Sequence, residues 1–280
     1  MTDQAFIDKT RRALFNTTAA RYDNLIMPAF GPLARRLVEV AALKPNESVL
    51  DVGTGTGAVA LSAAQIATQA VGIDYAGAML PLARQNALQQ LTNKVAFYQG
   101  DMRRLPHRTQ TFAVALASFG FNGADPGQVF PEIYRVLRPG GRLVFQEWGE
   151  VEEASKIVKQ VVKRHKVARA EGFLADLRHL VDTPDAWDEL DDEEDVARLL
   201  RQVGFRNVRI LIEQEAIPFE PLAFFRYKTA WTPYQAELAA MPAAERSAVQ
   251  SEVIEQLSQW TGTNGRFIWE PQLARFMAWK

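Results

Sequence analysis

Between Ser48 and Gly149 short apolar runs alternate with stretches of helical period, which restricts this chain to a parallel sheet joined by crossover helices. SVLDVG (48–53), AVGID (70–74), KVAFYQGD (94–101), TFAVALAS (111–118) and RLVFQEWG (142–149) read as strands, and their near-continuous apolar character suits strands covered on both faces. Between them GAVALSAAQIAT, AGAMLPLARQNALQQ and PGQVFPEIYRVL carry apolar residues at helical spacing, as in Met79, Ala83 and Ala87, or Val129, Ile133 and Val136. The last of these helices is closed by Leu137-Arg138-Pro139-Gly140-Gly141, where proline cannot continue a helix and glycine takes a tight turn.

Upstream, helical stretches near 4–15 and 28–42, the second with Leu33, Leu37 and Val40 on one face, are expected to form a lid. Downstream, 152–181 reads as helical, and Asp191 to Val203 as a helix with acidic residues in its first turn and Gly204 as its stop. FRNVRILIEQE supplies a sixth strand, 221–260 is again mostly helical, and RFIWEPQLARFMAW is expected to return as a final strand. The 280 residues suffice for one core with additions. The expected division is lid helices 1–45, an α/β core 46–150, a helical cap 151–204, and 205–280 with the last strands and an inserted helical segment.

Lysine plus arginine and aspartate plus glutamate nearly cancel, to a formal charge of -1, so the chain lacks the positive field that nucleic-acid binding requires. No nucleic acid partner is expected. The absence of cysteine excludes disulfides and thiolate chemistry and fits a reducing compartment. The start, MTDQAFIDKTRR, has no apolar secretory core, and no apolar run approaches the ~20 residues of a membrane span. A soluble, cytoplasmic protein is the expectation, with the oligomeric state open and a homodimer among the choices.

The strongest local signal is Asp51-Val52-Gly53-Thr54-Gly55-Thr56-Gly57, where a buried strand turns into a helix. Glycines there let the backbone approach a ligand and present its N–H groups, at the sheet edge where open α/β sheets bind ligands. A dinucleotide fold shares this geometry but spaces its glycines GxGxxG; here they read GxGxG with an acidic residue two positions ahead.

This DxGxGxG pattern resembles motif I of class I S-adenosylmethionine (SAM)-dependent methyltransferases, and the resemblance continues in register through Asp74, Gly100-Asp101-Met102 and LRPGG before the fifth strand. Phe15-Asn16-Thr17-Thr18-Ala19-Ala20-Arg21-Tyr22-Asp23 is similar to the N-terminal motif of the ubiquinone/menaquinone-biosynthesis type and its small-molecule relatives. The match covers residues 12 to 150; beyond it only the layout of the last strands is similar. The resemblance implies a doubly wound, Rossmann-like, mostly parallel seven-stranded sheet with N-terminal lid helices and a helical cap. It implies SAM as cofactor, S-adenosylhomocysteine as product, no metal, and methylation of a small or medium-sized organic acceptor at oxygen, carbon or nitrogen, of natural-product or quinone type.

By the same resemblance Asp51, Gly53, Thr54, Gly55 and Gly57 cradle the cofactor, Asp74 holds the ribose hydroxyls, Tyr75 and Met79 flank adenine and ribose, and Asp101 accepts from the adenine amino group. The backbone of Met102 serves the ring, Tyr22 closes over the cofactor, and Ser118 completes the set at the end of the fourth strand. Phe119, Phe121, Asn122 and Trp148 at the sheet ends, with Phe225, Tyr227 and Trp231, are candidates for an apolar acceptor pocket, against the alternative of ordinary helix packing. His165 shares a helical face with Ile157 and Val161 and is a weak candidate for a base, a structural histidine being the competing reading; His107 and His179 read as exposed. The acidic run Asp185 to Asp195 reads as a solvated loop and helix start, because no oxygen-ligand loop accompanies it. Methyl transfer is an in-line displacement that needs alignment above all, and a base only where the acceptor must lose a proton. The alternatives are a nicotinamide-dependent oxidoreductase, a SAM-binding protein without turnover, and a methyltransferase acting on RNA or protein.

Overall fold

The structure, a computed structural model, describes residues 3–121, 123–184, 186–187, 190, 192–230 and 233–280, without the Asp3 side chain. Helix α1 (Asp3–Arg21) runs into a π-helical turn, Tyr22–Ile26, and then α2 (Met27–Ala41). There follow β1 (Ser48–Val52), α3 (Ala58–Ala64), β2 (Gln69–Asp74), α4 (Met79–Gln89), β3 (Val95–Gln99), β4 (Phe112–Ser118), α5 (Pro126–Val136) and β5 (Leu137–Trp148). The chain continues through α6 (Glu153–His165), α7 (Gly172–Asp182), α8 (Glu193–Val203), β6 (Arg206–Gln214) and β7 (Ile217–Phe219). Helices α9 (Pro221–Thr229), α10 (Pro233–Ala240) and α11 (Ala243–Ser258) precede β8 (Phe267–Trp269) and β9 (Gln272–Trp279).

Contacts divide the chain into two compact units. One comprises Ala29–Trp148, Pro184–Glu213 and Leu273–Lys280, the other the residues to Pro28, Gly149–Thr183 and Gln214–Gln272. The first is a seven-stranded sheet in the order β3-β2-β1-β4-β5-β9-β6, as the mostly parallel, doubly wound reading expects. Strands β3 to β5 pair in parallel, and β9 is antiparallel to β5. Every residue of β1 is buried, so it forms from a continuous apolar run and leaves exposed positions to the edges, where β6 sets Arg206, Arg209 and Gln214 among them. On one face Leu37 and Val38 of α2, Ala60 and Leu61 of α3 and Ala83 of α4 cover Val49, Val114 and Val144. On the other, Val129 and Ile133 of α5 and Leu200 of α8 cover Leu50, Ala115 and Phe145. Local chemistry sets the boundaries: Asp125 accepts from the Gly127 N–H before α5, Asp192 accepts from the Glu194 and Asp195 N–H groups before α8, and Gly204 stops α8 at φ 115°.

Three expectations change. The stretch 28–42 is a covering layer of the sheet and not a lid, because its apolar stripe is consumed by Val49, Val114 and Val144. The expected cap 151–204 divides: α8 belongs with the sheet, while 152–181 is broken between His165 and Gly172 into α6 and α7. The expected terminal strand is two strands, with β8 pairing to β7 in a separate two-stranded sheet and β9 entering the main sheet between β5 and β6.

Candidate functional site

The glycine loop lies beyond the carboxyl end of β1. The N–H groups of Gly53 and Thr54 both donate to the Ile73 carbonyl, at 2.8 and 2.9 Å, which folds the loop back onto β2. Gly53 sits at φ 73°, and a Cβ there would lie 2.6 Å from the Gly120 Cα, so the loop and the turn after β4 touch backbone to backbone. Asp51 is buried beneath the loop: its Oδ2 accepts from Thr54 Oγ1 at 2.6 Å and from the Ala60 N–H at 3.0 Å, while Oδ1 has no partner among the described residues. Burial pushes its pKa up to about 7, helped by the charge of nearby Asp74. Asp74, also buried, accepts from the Gly55 N–H through Oδ2 and the Ala76 N–H through Oδ1, both at 2.8 Å; burial raises its pKa against these bonds. The structure therefore brings Asp51, Gly53, Thr54, Gly55, Gly57 and Asp74 into one polar cradle. Thr56, passed over in the sequence reading, adds a buried hydroxyl without a partner among the described residues.

Around this cradle Tyr75 is half-buried and Met79 buried. Asp101 caps a short 3-10 turn, accepting from the Arg103 N–H at 2.9 Å, and its carboxylate also takes the Arg103 guanidinium at 2.7 Å. The Met102 side chain belongs to the core on the α5 face, which leaves only its backbone for recognition.

At the carboxyl ends of β4 and β5, Phe119 stacks on Trp148 at 4.1 Å, with Phe30 edge-on to both rings at 5.0 and 5.7 Å. Phe119 adopts φ 55°, a left-handed conformation rare for a bulky residue, stored where the chain turns toward the glycine loop. Phe121, expected beside it, is instead fully buried against Phe130 and Phe145 and is core. Gln146 and Glu147 were not legible as site residues. Glu147 keeps a partly exposed stem but a sealed Oε1 without a partner among the described residues, and burial pushes its pKa up to about 8 against a bond from the Phe121 N–H.

In the helical unit Tyr22 starts the π-helical turn, a geometry often found at functional positions. Phe225 and Tyr227 are buried; Tyr227 stacks on Phe219 at 5.5 Å and meets Trp269 at 5.2 Å, so this ring is core material for its unit and not an open wall. Its interior also holds Glu152, which accepts from the Trp269 indole and the Ser155 N–H. His165 sits between two carboxylates, Nδ1 on Glu245 and Nε2 on Glu252 at 3.2 Å, joining α6 to α11. The bond to Glu245, ahead of that to Glu252, raises its pKa against the opposing effect of burial. Of the two readings of His165, the structural one, a bridge between α6 and α11, has these two carboxylates as its support. His107, read as exposed, is half-buried against the Phe112 ring at 5.0 Å. Asn122 and Trp231 lie outside the described residues.

Among the described residues no cluster of histidine, aspartate or glutamate is arranged to hold a metal, and no helix is long and apolar enough to cross a membrane. The cradle suits a cationic, polyhydroxylated ligand: Asp51 Oδ1 lacks a donor among the described residues, and the backbone N–H bonds from Gly55, Tyr75 and Ala76 leave the Asp74 carboxylate a lone pair to offer.

Residues 49–141 match the family described as "Methyltransferase domain". A demethylmenaquinone methyltransferase of Deinococcus radiodurans is 35% identical over 69% of this chain and 84% of its own length. A ubiquinone/menaquinone biosynthesis C-methyltransferase of Syntrophotalea carbinolica is 32% identical over 71% and 86%. The match to the Thermus thermophilus demethylmenaquinone methyltransferase, 39% identical, spans 48% of this chain and 64% of that protein. Among solved structures, a phosphoethanolamine N-methyltransferase of Haemonchus contortus shares the fold at TM-score 0.59 and 18% identity, over all of this chain and 61% of that one. A Bacillus halodurans protein described as a "putative methyltransferase" does so at 0.55 and 21%, over 88% and 98%. With the glycine cradle, the sheet order and these relatives in agreement, the chain belongs to the ubiquinone/menaquinone-biosynthesis family of class I SAM-dependent methyltransferases.

Proposed function

We propose that this methyltransferase acts in the cytoplasm on a small or medium-sized acceptor of quinol type, without nucleic acid as partner. The observation that supports the acceptor class most is the likeness to demethylmenaquinone methyltransferases over more than four-fifths of their length. The aromatic trio Phe30, Phe119 and Trp148 at the carboxyl edge of the sheet supports it chemically, as a flat surface for a flat ring.

Bound SAM supplies a methyl group on a sulfonium that is already electrophilic. The protein's task is to hold and align. In this reading Asp51 Oδ1 takes a cationic donor, the backbone from Gly53 to Gly57 lies against the ligand, and Asp74 receives the ribose hydroxyls. Tyr75 and Met79 flank the nucleoside, the Met102 backbone faces the base, and Asp101 serves the adenine amino group by sharing its carboxylate with Arg103. Ser118 adds a polar contact at the end of β4. No side chain is assigned as a base.

Calorimetric titration with S-adenosylhomocysteine, followed by mass spectrometry after incubation with SAM and a short-chain reduced demethylmenaquinone, tests the proposal. Micromolar binding, abolished by Asp74→Ala, and a methylated quinol are expected. Binding without methylation of any quinol would overturn the acceptor class, and NADH binding in place of S-adenosylhomocysteine would overturn the cofactor roles.

A further inference from the structure

Arg275 lies in the middle of β9 with no solvent exposure, where an unpartnered cation is not tolerated. Its Nη1 bonds to Glu213, a carboxylate that also takes Arg36 Nε and Nη2 at 3.2 and 2.7 Å. Its Nε donates to Gln146 Oε1 at 3.0 Å. Gln146 is equally sealed, and only one orientation of its amide satisfies its neighbours. A guanidinium can only donate, so the carbonyl oxygen must face Arg275. The Nε2 group then donates to the Leu33 carbonyl at 3.3 Å and to Ser118 Oγ at 2.8 Å. The Leu33 carbonyl can only accept, and it demands the same orientation independently.

Both amide hydrogens of Gln146 are thereby used, and one of them occupies a lone pair of Ser118 Oγ. The serine hydroxyl must turn its own proton elsewhere, and the hydrogen bonds among the described residues give that proton no acceptor. Ser118 is the last residue of β4, half-buried, in register with Gln146, and next in sequence to the left-handed Phe119. It stands at the carboxyl edge, on the face covered by α2 and α3, where the glycine loop also opens.

We infer that the Arg275–Gln146 pair positions the Ser118 hydroxyl as a fixed hydrogen-bond donor to a ligand lone pair at the carboxyl edge of β4. The inference rests on the methyltransferase reading. The lone pair belongs either to the carboxylate end of the cofactor or to an oxygen of the methyl acceptor. Ser118 is the group that touches the ligand, and Gln146 and Arg275 are positioning residues that set the direction of its proton.

The test uses Ser118→Ala, Ser118→Thr, Gln146→Glu and the Ser118→Ala/Gln146→Glu double variant. Gln146→Glu keeps a partner for Arg275 but replaces the donor facing Ser118 with an acceptor, so the serine proton is drawn inward and lost to the ligand. S-adenosylhomocysteine affinity is read by calorimetry, and KM and kcat for reduced demethylmenaquinone by product formation, with thermal midpoints as the control for folding. Ser118→Ala and Gln146→Glu are each expected to weaken one of these interactions by about tenfold, the double variant by no more than either alone, and Ser118→Thr to stay near wild type. Loss of S-adenosylhomocysteine affinity assigns the lone pair to the cofactor; a changed KM or kcat at unchanged affinity assigns it to the acceptor. Unchanged binding and kinetics in Ser118→Ala, or losses that multiply in the double variant, overturn the inference. Should Gln146→Glu fail to fold, the contrast between Ser118→Ala and Ser118→Thr decides. If wild type binds S-adenosylhomocysteine but methylates no quinol, the acceptor class falls and the binding measurements alone judge the serine.

Discussion

Asp51→Asn separates the stability of the apoprotein from its capacity to bind. An unfolded aspartate releases its proton near 3.8, whereas burial holds Asp51 protonated to about 7. Between these values the native state binds more protons than the unfolded state, so the contribution is fully present below pH 4 and is lost as pH rises to about 7. At about 1.36 kcal/mol per unit, the roughly three-unit gap amounts to about 4 kcal/mol, a large share of a typical domain stability of about 5–15 kcal/mol. Asparagine reproduces the shape and the acceptor for Thr54 and Ala60 without ionising. Glu147 and Asp74 shift in the same direction and appear in both proteins, so the difference between wild type and variant isolates Asp51. Urea unfolding without cofactor at pH 4, 5, 6, 7 and 8 is expected to show near-equal stability at pH 4, a variant ahead by about 1.6 kcal/mol at pH 5 and by about 4 kcal/mol at pH 8. S-adenosylhomocysteine at 100 Kd should cut that lead by about 2.7 kcal/mol, since it stabilises only the protein that binds it. A stability difference that stays constant between pH 5 and 8 would refute the burial argument; a variant that binds as tightly as wild type would refute the assignment of Asp51 Oδ1.

Gly53→Ala places a Cβ 2.6 Å from the Gly120 Cα at φ 73°, a left-handed cost of about 1–2 kcal/mol on top of a backbone clash. Calorimetric titration should find no S-adenosylhomocysteine binding and thermal unfolding a lowered midpoint, and normal affinity would show that the two turns move apart freely. Phe119→Leu removes the ring stacked on Trp148; the acceptor KM should rise about tenfold with S-adenosylhomocysteine affinity within about twofold, and an equal fall in both would place the ring on the cofactor side instead. His165→Ala should leave kcat within about twofold and lower the thermal midpoint modestly, since it removes a bridge between α6 and α11; loss of an ascending limb in the pH–rate profile would make it the base after all.

The inner strands β1 and β4 were legible because they are buried along most of their length, and the cradle because three glycines and two carboxylates fall at fixed offsets from strand ends. What stayed hidden depends on partners far along the chain. The stripe Leu33–Leu37 announced an amphipathic helix but not that the sheet would consume it. Phe119 and Phe121 looked equivalent, yet the left-handed turn at Phe119 sends one ring to Trp148 and the other into the core beside Phe130. Arg275 is one polar residue in an apolar run, passed over in the sequence reading; its burial follows from β9 entering between β5 and β6, and alternation within the segment carries no such information. His165 shared a face with Ile157 and Val161, but its partners, Glu245 and Glu252, lie about eighty residues away.

The placement of β9 has a consequence for biosynthesis. The strand nearest the carboxyl end of the chain occupies an interior position of the sheet, paired with β5 over seven residues from Arg142↔Trp279 to Trp148↔Leu273. A nascent chain that has just completed β6 therefore holds β5 with one side unpaired, and Gln146 and Glu213 without the guanidinium that later joins them. Pairing β5 with a segment more than a hundred residues downstream carries a heavy loop-closure cost, and until it is met the open strand is a template for association with other nascent chains. Completion of β9, and not the emergence of the glycine loop, sets the moment at which this sheet can first close.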